Sequence, residues 1–210
     1  MLKLIVFDCD GVLFDSRESN RLFYNHLLQQ FGRQQMTEEE CDFVHIHNTN
    51  DAIAHIFRHY PDQDLEEVNR FRLASDYTPF LRQLKMEEEL LPFLETVYPR
   101  YYLAISTNRT NTMEPLLQQF QLRHYFGKVM TAQNAKRPKP APDALEEILT
   151  YYRCEPEESI YIGDSIIDQK HANSCSVPFI AFKNPSLVAD YHVNGFLEIL
   201  TLPPLSTAAY

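Results

Sequence analysis

Residues 2–16 read LKLIVFDCDGVLFDS. The first half, residues 2–8, is a short and almost unbroken apolar run with no polar alternation. That is the pattern of a strand buried on both faces of a parallel sheet. The run ends abruptly in Asp8-Cys9-Asp10-Gly11. Asp8 and Asp10 are two apart, so extended backbone turns both to one side. Similar runs follow at residues 101–107, 128–132, 159–164 and 177–182; several are rich in Val, Ile, Tyr and Phe, and most run straight into a polar turn. Helical patterns at 143–153 and 165–175 separate the later runs. Strands alternating with helices predict βαβ units and an α/β, Rossmann-like parallel sheet.

Residues 16–86 hold no convincing strand and carry helix punctuation instead. Gly32 closes a first helix. Thr37 with Glu40 forms a capping box for a second. Asn50 is expected to cap a third, ended by Pro61, and a fourth is expected to open near Asp64 and run to Pro79. The sequence therefore predicts an α/β core at 1–15 and 87–210, with an all-α domain inserted at 16–86. Hinges are expected near Asp15-Ser16 and Lys85-Glu87. The tail, 201–210, reads as a loosely held end.

Composition narrows the partners. The chain has 210 residues with 19 basic and 29 acidic side chains, a formal charge of -10. Such a chain repels nucleic acid and anionic membranes, so an anionic ligand has to be drawn in by a metal or a few placed cations. No segment approaches the length of a membrane span. The scattered cysteines Cys9, Cys41, Cys154 and Cys175 contain no C-x-x-C pair, which predicts a reducing, cytoplasmic setting. The glycines stand too far apart for a nucleotide-binding G-x-G-x-x-G or G-x-x-x-x-G-K-[ST] loop.

In open parallel sheets ligands bind beyond the carboxyl ends of the strands. Those ends carry Asp8 and Asp10, then Ser106-Thr107-Asn108, then Gly163-Asp164 with Asp168 four residues on. Lys139 sits in the proline-rich loop Arg137-Pro138-Lys139-Pro140. Carboxylates, a hydroxyl and a cation at one rim suit phosphoryl transfer. Mg²⁺ takes oxygen ligands, which Asp8, Asp164 and the Asp10 carbonyl can supply. A carboxylate can also attack phosphorus while its neighbour gives a proton to the leaving oxygen and later takes one from water. Thr107 and Lys139 can bind phosphate oxygens; Ser106 is an alternative to Thr107.

DCDGVLFDS, STN, KPAPD and GDSIID, in this order, resemble the motifs of the haloacid dehalogenase superfamily over nearly the whole chain. The inserted helices resemble the cap of its phosphoglycolate phosphatase and β-phosphoglucomutase subgroup. The resemblance implies a Mg²⁺-dependent phosphatase acting on a small phosphorylated metabolite, with core strand order 5-4-1-2-3. It implies Asp8 as nucleophile, Asp10 as general acid/base and Thr107 and Lys139 as phosphate ligands. Asp164 would hold Mg²⁺, with Asp168 supporting the metal site or pairing with Lys139. Asn108, together with His47, Asn50 and Arg17 of the cap, are candidates for contacting the rest of the substrate. Arg137-Pro138 stand where many relatives carry Gly before the lysine.

Other activities fit less well. A dehalogenase of this kind lacks the second aspartate, and Asp10 is present. A phosphonate-cleaving member needs a cap lysine, and residues 4–84 contain none. A phosphomutase of the β-phosphoglucomutase type uses the same core residues, and a non-catalytic binding protein could keep the fold without needing a nucleophile beside an acid. His45, His47, His55 and His59 cluster in the insertion, but without H-E-x-x-H they read as surface or core side chains rather than metal ligands.

Overall fold

The computed structural model describes residues 1–206. The strands are β1 Leu4–Phe7, β2 Phe14–Asp15, β3 Lys85–Met86, β4 Tyr102–Thr107, β5 Lys128–Thr131, β6 Ser159–Gly163, β7 Phe179–Phe182 and β8 Tyr191–Val193. The helices are α1 Arg17–Gln30, α2 Glu38–Ile46, α3 Thr49–Ile56, α4 Leu65–Ala74, α5 Thr78–Leu81, α6 Leu90–Val97, α7 Met113–Gln119, α8 Asp143–Tyr152, α9 Ile166–Ser174, α10 Phe196–Ile199 and α11 Pro203–Ser206. The chain divides into two compact units, one of Met1–Phe14 with Met86 onward, the other Asp15–Lys85. No described helix is long and apolar enough to cross a membrane.

The first unit is built on a six-stranded sheet in the order β5-β4-β1-β6-β7-β8. Every neighbouring pair is parallel. Read from the β7 side, the first five strands give the expected 5-4-1-2-3 order, and the α/β fold class is borne out. The unforeseen strand is β8. Tyr191 and His192 are only partly covered or exposed there, so this edge strand lacks the apolar run that marks the others.

Why β1 sits centrally follows from its side chains. Leu4, Ile5, Val6 and Phe7 are all fully buried, which requires cover on both faces. Leu4 and Val6 join Ala104, Met130, Leu145, Ile148, Tyr161 and Phe179 in one core cluster. Phe7 points the opposite way, as strand alternation demands, and meets the rings of Phe93, Phe126 and Phe196 at centroid distances of 6.2, 5.7 and 6.3 Å. This two-sided burial fixes the register of β1. It thereby fixes the point at which Asp8 leaves the sheet.

The second unit is helical around Phe23, Tyr24, Leu27, Leu28, Val44, Ile53, Ile56, Phe57 and Val68. Gly32 closes α1 with φ of +66°, and the Thr37–Glu40 capping box is formed. Two expectations need correction. The cap of α3 is Asn48, whose side chain accepts the backbone N–H groups of Asn50 and Asp51; both asparagines suit the role, and the one before the helix takes it. Helix α4 stops at Ala74, and Pro79 lies in the first turn of the separate helix α5. A proline is tolerated there because the first N–H groups have no intrahelical acceptor. The tail is also more structured than expected: α11 buries Leu205, while residues 207–210 lie outside the described residues.

Candidate active site

The site lies in the first unit at the carboxyl ends of β1, β4 and β6. Asp8 follows β1 directly, and its N–H donates to the Ile162 carbonyl of β6 at 2.9 Å. The loop then folds on itself. Cys9 accepts the N–H groups of Leu13 and Phe14 at 2.9 and 3.1 Å, and Gly11 donates to Phe14 at 2.8 Å. Gly11 has φ of +76°, a conformation that a Cβ disfavours by roughly 1–2 kcal/mol. A Cβ there would also lie 1.9 Å from Asp164 Oδ2. The Asn184 side chain donates to the Asp164 backbone carbonyl at 2.7 Å and holds the main chain, so the carboxylate itself has to turn aside. Gly11→Ala is expected to displace the Asp164 carboxylate and lower activity by about 100-fold or more, the scale of a misplaced reacting geometry. Gly32→Ala meets nothing within 4 Å; assays beside thermal melts should show it losing stability only.

Asp8, Asp164 and Asp168 bring carboxylate oxygens within 4.8 Å of one another. Lys139 stands against them, with Nζ 2.8 Å from Asp8 Oδ1 and 2.6 Å from Asp168 Oδ1. The Asp8 contact is an ion pair without hydrogen-bond alignment, since the same Oδ1 has no hydrogen-bond partner. Both oxygens of Asp168 are engaged. Oδ1 accepts from Lys139 and Tyr161, and Oδ2 accepts from the Ser165 hydroxyl at 2.5 Å. Asp168 pairs with Lys139 and at the same time belongs to the carboxylate cluster.

These contacts separate the carboxylates electrostatically. Burial, reinforced by the Asp168 charge, pushes Asp8 up to about 7, with Lys139 opposing the shift. Burial and the charges of Asp168 and Asp8 push Asp164 well up. Burial also raises Asp168, but the charge and hydrogen bond of Lys139, with bonds from Ser165 and Tyr161, hold it below the usual carboxylate range. Lys139 stays protonated: burial works against its charge, and Asp168 and Asp8 more than compensate. Three carboxyl groups facing one ammonium crowd more hard oxygen donors together than the lysine can neutralise, which adds to burial in raising Asp8 and Asp164. That donor set fits a divalent cation of the Mg²⁺ or Ca²⁺ kind.

Ser106 and Thr107 end β4 and turn to different partners. Ser106 is fully buried, with Oγ 2.9 Å from His171 Nε2. His171 Nδ1 lies 2.8 Å from the Ala141 carbonyl, which can only accept, so Nδ1 carries the proton and Nε2 accepts from Ser106. Burial first, and the Lys139 charge second, push His171 down to about 4 and keep it neutral. Thr107 Oγ1 instead accepts the Arg109 N–H at 3.2 Å. Asn108 donates to the Lys139 carbonyl at 3.3 Å and so braces the loop that presents the lysine.

Asp10 is not in the carboxylate cluster by its side chain. Its Oδ1 accepts from Arg109 Nη2 at 2.6 Å. The sequence reading missed Arg109, Tyr161 and His171, for which no local pattern signals a partner far along the chain. It could have found Ser165, since Ser165-x-x-Asp168 is a capping box legible as S-x-x-D.

The remaining candidates belong to the helical unit. The Arg17 guanidinium pairs with Glu38 at 3.1 Å and with Asp42, which joins α1 to α2. His47 stacks on Phe43 at 3.8 Å and bonds the Phe43 carbonyl through Nδ1 at 2.9 Å. His55 stacks on Phe43 as well, also at 3.8 Å. Asn50 is exposed and donates its N–H to Asn48.

Known proteins are similar to this chain in sequence and fold. A family model described as haloacid dehalogenase-like hydrolase matches residues 5–182. A crystal structure of a HAD-superfamily hydrolase, subfamily IA, variant 1, from Geobacter sulfurreducens superposes with a TM-score of 0.84 and is 34% identical, covering 96% of this chain and 99% of that one. Phosphoglycolate phosphatase of Aliivibrio fischeri is 29% identical over 183 residues, 82% of this chain and 80% of the relative. Pyrophosphatase PpaX of Bacillus velezensis is 27% identical over 174 residues, 78% of this chain and 75% of the relative. The four motifs, the strand order that sets β1 beside β6 and the family match agree, and the chain is an enzyme belonging to the haloacid dehalogenase-like hydrolase family.

Proposed function

We propose that this protein is a Mg²⁺-dependent phosphatase that hydrolyses a small phosphate monoester through a phosphoryl group carried transiently on Asp8. The observation that carries the reading is Asp8 itself: a carboxylate at the mouth of the central strand, ion-paired to a buried lysine and crowded by two further carboxylates. Relatives named as phosphoglycolate phosphatase and pyrophosphatase support phosphate chemistry.

Asp8 attacks phosphorus, and Lys139 lowers the repulsion between the two anions. Thr107 Oγ1 accepts from Arg109 N–H, which leaves its own hydroxyl proton to be donated to a phosphate oxygen. Asp10 gives a proton to the leaving oxygen and later takes one from the water that releases phosphate. Asp168 keeps Lys139 charged and in place. Asp8, Asp164 and the Asp10 carbonyl would hold Mg²⁺, which, when bound, neutralises charge on the transferring phosphoryl group.

The test is phosphate release from a panel of sugar phosphates, phosphoglycolate and pyrophosphate. Release is expected with Mg²⁺, to be abolished by a chelator and restored by added Mg²⁺; metal-independent release would refute the site. Asp8 has to lose its proton to bind metal, and its pKa stands at about 7. Mg²⁺ affinity, read from thermal shifts, is therefore expected to rise about tenfold from pH 6 to pH 8. Asp164, also raised, adds to the rise, and a flat profile would remove both carboxylates as ligands.

A further inference from the structure

Asp8 and Asp10 are separated by one residue but are held by different cations. Asp8 pairs with Lys139, and Asp10 pairs with Arg109, 99 residues away in sequence. Arg109 is itself fixed at several points. It is only 7% exposed. Its N–H donates to Thr107 Oγ1 at 3.2 Å, and its carbonyl accepts from Ala132 N–H at 2.9 Å, just past β5. Nη1 lies 3.4 Å from Thr112 Oγ1. Arg109 is thus anchored to β4, β5 and the turn before α7, and it extends a guanidinium to a carboxylate on the β1 loop.

That contact orients the Asp10 carboxylate. The hydrogen bonds of Cys9 and Gly11 to Leu13 and Phe14 fix the loop backbone, but they do not choose where the Asp10 carboxylate turns. A carboxylate bonded by a guanidinium at 2.6 Å is strongly oriented. The Asp8 and Asp164 carboxyl groups lie close enough to repel it, and the guanidinium holds the Asp10 carboxylate against that repulsion.

We propose that Arg109 is a positioning residue for Asp10: it sets the place from which Asp10 protonates the leaving oxygen. The inference rests on the acid role given to Asp10 above. It makes a division of labour between two cations, in which Lys139 serves the attacking side of phosphorus and Arg109 serves the leaving side. A competing role is direct contact between Arg109 and an anion on the leaving group.

The experiment compares Arg109→Met, Arg109→Lys, Asp10→Asn and the double variant Asp10→Asn/Arg109→Met. Each is assayed on nitrophenyl phosphate and on an alkyl phosphate, with melting curves recorded alongside. Nitrophenolate leaves without help, so a displaced acid harms only the alkyl ester. Arg109→Met is expected to lower kcat/KM about 100-fold on the alkyl ester and less than about fivefold on nitrophenyl phosphate. Arg109→Lys should recover most of the loss, and the double variant should be no worse than Asp10→Asn, as two residues acting through one step require.

Equal losses on both esters, or additive effects in the double variant, would overturn the positioning role. A loss confined to KM, and to esters with an anionic leaving group, would overturn it in favour of direct substrate contact. If Asp10→Asn itself shows no leaving-group dependence, the acid role falls, and this inference with it. If Asp10→Asn shows that dependence and Arg109→Met does not, only the inference falls. Should Arg109→Met fail to fold, Arg109→Lys decides alone: its residual loss has to be larger on the alkyl ester.

Discussion

Asp8→Asn is expected to abolish turnover, lowering kcat by at least about 10⁴-fold, the scale on which removal of a nucleophile acts. The amide keeps the shape of the side chain but has no charge with which to attack phosphorus. It should not cost stability. Because Asp8 is raised to about 7, its ionisation in the folded protein is unfavourable. The wild type therefore loses stability as pH rises from the ordinary carboxylate range to about 7, and the amide does not. Metal-free Asp8→Asn should melt at or above the wild-type temperature at pH 8. Lost activity with undiminished Tm separates a chemical role from a structural one. A pure variant that turns over normally would remove Asp8 as nucleophile.

Lys139→Ala is expected to damage both activity and stability. The ammonium is 4% exposed and is shared by Asp8, Asp168 and Tyr161. Asp168 is fully buried, and without Lys139 its charge is left uncompensated. Breaking a buried pair from one side costs about 3–5 kcal/mol, a large part of the roughly 5–15 kcal/mol that holds a protein folded. At about 2–4 °C per kcal/mol for a chain of this size, Tm should fall by roughly 10 °C. Activity should fall by about 10³-fold from the lost charge stabilisation. Lys139→Ala combined with Asp168→Asn removes both charges and should recover part of the Tm but none of the activity. Full activity in Lys139→Ala would contradict the role given to the lysine.

The strands and the acidic strand ends were legible because burial on both faces writes an apolar run into the sequence and a polar turn ends it. That is why β1, β4, β5, β6 and β7 could be read, whereas β8, with exposed His192, could not. Asp8, Lys139, Asp164 and Asp168 were legible as motif residues at those ends. Arg109, Tyr161 and His171 were not, because each acts across the sheet. The Tyr161 hydroxyl of β6 lies 3.0 Å from both Asp168 Oδ1 and the Ser106 carbonyl of β4, contacts between residues with no local pattern in common. The choice of Asn48 over Asn50 was missed for a smaller reason. Two capping side chains stood two residues apart, and the helix start alone decides between them.

The central claim is that Asp8 carries the phosphoryl group, and acid-quenching the wild-type enzyme during turnover with Mg²⁺ tests it most directly. Mass spectrometry of the peptide containing Asp8 reads the outcome. The expected result is a phosphoryl adduct on Asp8 that hydroxylamine removes and that Asp8→Asn never forms. Turnover with no adduct at any quench time, or an adduct on another side chain, would contradict it.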